Sequence, residues 1–418
     1  MPQNENFSKY FTPKNIKEVL SYIEGYWPKL VRTNKKDLRS LIGLPYPYIV
    51  PAATDVFQEQ YYWDSYPVVR ALIDHPKYSD VAVGMVNNLL HMVERFGIIP
   101  NASRFYFLTR SQPPLLSSMV SIVYEKTKDK RWLRRACELL EMEYNDVWMG
   151  KIHLRNYRLT PTGLSRYYDL NALDYLAEAE SGWDMTARFS DKCLSYNPVD
   201  LNCLLYIYEK DLEAAYRILK RDLKAKRFGE LAQKRFELIN KYMWNEKEGY
   251  YFDYNFEEGK ISPLITIAGT FPLNVGIASF EQAQRVVKLL VRQLQKDWGI
   301  VQSVPFANNK QWDWPNGWPP TELRVVEALL RYGYVHLAKR VITKWLAVNI
   351  KVFLETGELW EKYDVVRGRI GEPDRYPTPP GFAWTNAVFM IFVKMLKLIE
   401  NAPDGATPVF MVRRLGWF

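Results

Sequence analysis

The sequence predicts an all-α protein, on three observations. About a dozen segments repeat apolar residues at the spacing of an amphipathic helix. Strand-like runs are short, as in Gly249-Tyr250-Tyr251-Phe252-Asp253-Tyr254. Several helical segments follow one another after only brief turns, which suits antiparallel neighbours.

Taken in order, the apolar periodicity predicts helices near 14–26, 62–75, 80–96, 113–127, 130–148, 167–180, 198–219, 223–243, 280–295, 321–333, 334–349 and 384–400. Three irregular stretches interrupt this rhythm, at 97–113, 298–320 and 357–383. Loops of that length in a compact domain usually serve function, and these hold nearly all the clusters of Trp, Asn, Gln, Pro and Gly. Periodicity alone takes the reading no further than all-α.

At 418 residues and 48% hydrophobic composition the chain can bury a large core. Length would allow two or three domains, but no Pro/Gly/Ser-rich linker divides it. A single domain over 1–418 is expected, with a short N-terminal extension and a C-terminal tail from about 401. That tail ends in Trp417 and Phe418, which would be a liability if left exposed. The N-terminal residues lack a signal-peptide pattern, and no run of eighteen uncharged apolar residues occurs. Three cysteines, Cys137, Cys193 and Cys203, do not make a disulfide framework, although a Cys193–Cys203 bridge is conceivable. A soluble, cytoplasmic protein without a membrane partner is therefore expected. The net charge of +9 raises the question of a polyanionic partner. The basic residues are interspersed with acidic ones along helices, as from Lys220 to Arg235, and the aromatic clusters sit with Asp, Asn and Pro rather than Lys and Arg. Nucleic acid is accordingly not expected. Whether the chain is a monomer or a homo-oligomer stays open.

The four histidines, His75, His91, His153 and His336, have no ligand spacing to one another or to a cysteine, so neither a metal nor a cofactor is expected. No nucleophile elbow, phosphate loop or dinucleotide fingerprint occurs. What remains is carboxylate chemistry beside aromatic rings. Tyr61-Tyr62-Trp63-Asp64-Ser65-Tyr66 and Gln311-Trp312-Asp313-Trp314-Pro315-Asn316-Gly317-Trp318-Pro319-Pro320 combine indoles with fixed acceptors, which suits a sugar ring. Hydrolysis of a glycosidic bond needs two carboxyl groups of opposite protonation state. Asp184, in Glu180-Ser181-Gly182-Trp183-Asp184, and Glu361, in Leu359-Trp360-Glu361-Lys362-Tyr363-Asp364, are the candidates. Gly182 would let backbone approach a ligand, and Trp183 would supply an apolar wall. The alternative for each acid is an ordinary cap or ion pair. Asp64 could bind sugar hydroxyls with Trp63 as platform, or cap the helix that follows. Asn101, Arg110 and Gln112 form a second polar cluster, in which Arg110 could equally hold its loop.

Together these segments resemble trehalases of glycoside hydrolase family 37. The matching stretches run from Glu59–Tyr66 through Gly97–Pro114, Gly163–Asp169, Ser181–Asp184, Gln311–Pro320 and Glu361–Val365 to Gly381–Asn386. The resemblance implies an (α/α)6 barrel and an inverting, metal-independent hydrolase, in which Asp184 is the general acid and Glu361 the general base. Such a pair stands roughly 6.5–9.5 Å apart to admit a water. Phe57, Tyr61, Trp63, Asp64, Asn101, Arg110, Gln112, Gly182, Trp183, Gln311, Trp312, Arg375 and Trp384 fall at or beside positions implied to line the sugar pocket. Three departures stand out. Val56 replaces an arginine, a loop after Asp169 is missing, and Arg375 stands in place of a glutamate. They fall mostly on the leaving-group side, and Arg375 would favour an anionic aglycone. The implied activity is hydrolysis of α,α-trehalose to glucose. Hydrolysis of a glucosylglycerate- or mannosylglycerate-type substrate is the alternative, and a sugar-binding protein without turnover is a further one.

Overall fold

The protein is described here as a computed structural model covering residues 9–151, 157–374 and 376–401. The expected site residue Arg375 and the tail beyond 401 lie outside the described residues.

Thirteen α-helices occur among the described residues: α1 (Pro13–Leu30), α2 (Ser65–Leu72), α3 (Ser79–Phe96), α4 (Leu116–Thr127), α5 (Lys130–Glu143), α6 (Asp174–Glu180), α7 (Val199–Ile218), α8 (Asp222–Met243), α9 (Phe271–Asn274), α10 (Phe280–Leu289), α11 (Pro319–Arg331), α12 (Val335–Thr356) and α13 (Ala383–Glu400). Six of them close a ring in the order α2, α4, α7, α9, α11, α13, each packed on the next and α13 returning to α2. Outside it, α3 packs on α2 and α4, α5 on α4 and α7, α8 on α7, α12 on α11 and α13, and α1 on α12 and α13. This is an (α/α)6 barrel, as the resemblance implies.

The amino-acid patterns explain which helix is inside. In α11 and α13 nearly every residue of the first two turns and beyond is buried, on all sides of the helix. A helix without a polar face belongs at the centre. Outer helix α8 buries only Ala225, Phe228, Ala232, Arg235, Ile239 and Met243, a single stripe at three-to-four-residue spacing.

Differences from the expected elements have local causes. The 113–127 helix begins only at Leu116, after Pro113 and Pro114. The expected helix 167–180 shrinks to α6, because the Asp169 carboxylate accepts bonds from the Asn171 amide at 2.8 Å and the Thr109 hydroxyl at 2.8 Å, which hold that stretch in a turn. The segments 130–148 and 280–295 end in wider π-type turns at Tyr144–Trp148 and Leu290–Leu294. Helix α12 runs on to Thr356 and is stopped by Gly357, whose φ of 77° suits glycine. The fourth inner helix, α9, has only four residues and escapes the sequence reading altogether.

Short antiparallel pairings tie the long loops together. Asn316 pairs with Asp364 and Gly317 with Tyr363, and the same strand pairs onward to Arg369–Ile370. A bridge between Tyr61 and Ala102 joins the first long loop to the segment before α2. The Tyr250–Tyr251 signal is a hairpin strand against Trp244–Asn245. All three cysteines are free and buried, which removes the Cys193–Cys203 bridge. No described helix is long and apolar enough to cross a membrane.

Candidate active site

The loops entering α2, α4 and α11 carry Asp64, Gln112 and Gln311 to Trp318, and Phe382 to Trp384 stand at the start of α13. The predicted residues therefore gather at one end of the barrel, where inner helices start. Helix N-termini present partial positive charge, which suits carboxylates and sugar oxygens.

Glu361 is the most tightly specified acid. Its side chain is buried. Lys362 Nζ lies 2.7 Å from Oε2, and the Tyr376 hydroxyl donates to Oε1 at 2.9 Å. The Trp384 indole N–H donates to its backbone carbonyl at 2.8 Å. Burial raises its pKa above the ordinary value, and the Lys362 ammonium and Tyr376 hydroxyl pull it back. Asp184 is partly buried at the mouth of the same site, and its backbone carbonyl accepts from the Gln311 amide. Asp64 feels both charges. Burial lifts its carboxyl well above the usual range, and repulsion from Asp184 and Glu361 adds to this. The Tyr376 phenol is likewise raised by burial first, then by Glu361 and Asp184. Three carboxyl groups thus converge on one space. The expected capping by Asp64 is corrected, since its side chain makes no cap hydrogen bond to α2.

The aromatic residues form a pile of indoles. Trp312 stacks on Trp318 at 3.7 Å and 5°, and lies near-parallel to Trp183 at 5.8 Å. Trp63 tilts onto Trp312 at 5.6 Å, and Trp384 meets Trp63 and Trp318 edge-on. At least one face of Trp312 is therefore occupied by protein. Gly182 takes φ of 75°, and a Cβ there would stand 2.7 Å from Trp63 Cε2. The close approach expected of Gly182 is made to the Trp63 ring, not left open for a ligand.

The remaining predicted residues divide by what they touch. Gln112 accepts from the Trp63 backbone amide at 3.0 Å. Asn101 donates to the Ser111 and Ala179 carbonyls. Arg110 pairs with Asp169 at 3.1 Å and lies over Phe107, so it holds its loop. Phe57 packs edge-on against Tyr61, Tyr376 and Phe382. Gln311 Oε1 is buried without a hydrogen bond among the described residues, an acceptor left over at the site. Val56 is 70% exposed.

Sequence reading passed over three residues that the geometry brings in. Lys362 and Tyr376 occupy the two oxygens of Glu361. Glu180, fully buried, accepts from the amides of Ser111 at 2.6 Å and Tyr168 at 2.7 Å and from Arg158 Nε at 3.0 Å, and so ties three loops together. Their signal in sequence is a charged or hydroxyl residue inside an otherwise apolar or aromatic motif.

The chain is similar to known proteins over nearly its whole length. A sequence model of the family described as "Trehalase" matches residues 1–175 and 175–397. The chain is 32% identical to a periplasmic trehalase of Escherichia coli O1:K1 / APEC, over 94% of this chain and 76% of the relative. It is 33% identical to one of Citrobacter koseri, over 96% and 77%. Among solved structures, neutral trehalase Nth1 from Saccharomyces cerevisiae superposes with a TM-score of 0.81 at 24% identity, covering 97% of this chain and all of the other. A GH63 mannosylglycerate hydrolase from Thermus thermophilus superposes at 0.68 and 18% identity, covering 90% of this chain and all of the other. At those identities the structural likeness speaks for the fold. The periplasmic relatives overturn the cytoplasmic expectation. The cysteines could not have decided it: all three are free and buried, and burial pushes the Cys137 thiol up to about 12 and the other two well above their ordinary value, which disfavours the reactive thiolate.

Proposed function

We propose a function from one premise: the chain belongs to the trehalase family. It hydrolyses α,α-trehalose to two molecules of glucose with inversion at the attacked carbon. Asp184 is the general acid and Glu361 the general base.

One observation carries the assignment of roles. Glu361 is buried yet touches an ammonium at 2.7 Å and a phenol at 2.9 Å, an arrangement that favours the carboxylate form and fixes its direction. Asp184 stands nearer the mouth and shares Asp64 and Tyr376 with Glu361 as electrostatic neighbours. In the proposed reaction Glu361 removes a proton from a water, whose oxygen bonds to the anomeric carbon. Asp184 gives its proton to the glycosidic oxygen as the carbon–oxygen bond breaks. The attacked half leaves as β-glucose and the other half as α-glucose. Asp64, which feels the charge of both acids, would hydrogen-bond a sugar hydroxyl, and the edges of Trp63 and Trp384 would bound the ring.

Trehalose is preferred to the acidic-aglycone alternative because the relatives at 32–33% identity over nearly the whole chain are trehalases, whereas the mannosylglycerate hydrolase is similar at only 18%. The same reading takes the chain as one catalytic domain, supported by the closure of the ring between α13 and α2. Hydrolysis assays on trehalose and on α-glucosylglycerate, with Asp184→Asn and Glu361→Gln beside the parent, test it. Trehalose turnover that drops by about 10³-fold or more in both variants is expected. Unchanged turnover in either variant would remove that residue from its role.

A further inference from the structure

At the opposite end of the barrel the inner helices leave a cavity of about 1010 Å³. Its wall comes mostly from the C-terminal halves of α2, α4, α7 and α13 and from α11 beyond Leu323, with Tyr66 and Ser118 near the starts of α2 and α4 reaching it too, whereas the candidate active site sits where those helices begin. Eight of the side chains lining it are basic and five acidic. The rest of the wall is largely aliphatic, with Ile122, Ile207, Val275 and Met390. Part of the chain's +9 charge, unexplained by the sugar site, is concentrated here.

Some of this basicity has an ordinary cause. Lys126, Arg217, Arg331 and Lys397 stand in last turns of α4, α7, α11 and α13, where cations offset the helix dipole. Arg324 is different, because it lies in the first half of α11 and points across the barrel over the Tyr66 ring at 4.4 Å. Arg324 and Arg70 share one carboxylate. Glu327 meets Arg70 with Oε1 and stands 3.3 Å from Arg324 Nη1 with Oε2. Asp211 has its Oδ2 engaged by Ser117 at 2.8 Å and Ser118 at 3.2 Å. Arg324 Nη2 is left buried with no hydrogen bond among the described residues. Burial, and then the neighbouring Arg324 charge, lower Arg70 to about 10, partly offset by Tyr66. A buried donor beside two guanidinium groups that repel one another calls for an acceptor of negative charge.

We propose that this cavity is a second ligand site, for a small molecule carrying a phosphate or carboxylate group that Arg324 Nη2 recognises. The planar fork of arginine matches either oxyanion, and the aliphatic wall would receive the molecule's body.

Calorimetric titration of the full chain at constant ionic strength, with inorganic phosphate and separately with citrate, tests this. Saturable binding of either anion is expected, phosphate alone pointing to phosphate esters and citrate alone to carboxylates. Arg324→Gln should weaken it about tenfold or more. Because Arg324→Gln alters a buried cluster, the rim variant Lys394→Gln/Lys397→Gln supplies a second reading. It should fold normally and weaken binding by about two- to threefold. No saturable heat up to about 10 mM anion, or equal binding by parent and Arg324→Gln, would overturn the proposal. Binding seen only after removal of residues 402–418 would overturn it too, by showing that the chain's own tail fills the space.

Discussion

The Lys362 ammonium stands 2.7 Å from Glu361 Oε2, and both side chains are fully buried. Adjacent residues of opposite charge seldom face one another, and here the pair is also covered by Trp318 and Tyr376, whose rings lie 4.9 and 5.3 Å from Lys362 Nζ. Taking either partner away would leave a charge in a dry site. Lys362 is fully buried and reaches the reaction only through Glu361, so it is proposed as a positioning residue.

Lys362→Met should therefore act on the pH profile. Glu361 must be ionised to accept a proton from water, and burial already raises its pKa. Without the ammonium its pKa rises further, so activity is lost at higher pH as the solution is acidified. The acid limb of kcat/KM is expected to move up by about 1–3 units. Lys362→Arg should leave it nearer its original place. An unmoved limb in Lys362→Met would show that the pair is only structural.

Glu322 gives a pH-dependent stability. Burial raises its carboxyl to about 8, against 4.5 for the free group, and the Ile300 amide and Lys344 offset only part of that. A raised carboxyl favours the folded state while protonated. Its contribution is full below about pH 4.5 and is lost as pH rises through about 8, worth at most about 5 kcal/mol. Glu322→Gln should match the parent near pH 5 and exceed it at pH 8.5 in urea unfolding.

Gly182→Ala tests the indole pile. The added Cβ would sit 2.7 Å from the Trp63 ring in a backbone conformation with φ of 75°. A loss of about 1–3 kcal/mol in stability is expected, together with a changed near-ultraviolet circular dichroism signal and reduced turnover. Retained turnover with an unchanged tryptophan signal would show that the ring does not need that space.

Arg188 supports the same pile from below. It is buried between Asp200 and Asp253 and lies 4.5 Å from the centre of the Trp183 ring. Arg188→Met leaves two buried carboxylates unpaired and should cost about 3–5 kcal/mol, measured by denaturant unfolding.

How much of this was legible in sequence depended on how local the signal is. Helices with a full apolar stripe, such as α3 and α8, were placed within a residue or two. The fourth inner helix was invisible, because the four residues Phe271–Asn274 are too few to show a period. The acids Asp184 and Glu361 could be picked from their motifs, since a carboxylate beside Trp and Gly is unusual. Lys362 and Tyr376 could not, because their importance lies in which oxygen of Glu361 each one reaches, and only the fold decides that. Gly182 was recognised as a site of close approach, but the object approached, Trp63, is more than a hundred residues away. The cytoplasmic expectation, drawn from the lack of a signal-peptide pattern and from the three cysteines, is the one the periplasmic relatives overturn, and a buried thiol looks the same in sequence as one kept reduced by its surroundings.

The most direct test of the central claim is a proton NMR time course of the purified chain with α,α-trehalose, read at the anomeric signals before mutarotation. β-Glucose and α-glucose appearing at once in equal amounts would match inverting hydrolysis by Asp184 and Glu361. α-Glucose alone at early times, or no hydrolysis of trehalose, would contradict it.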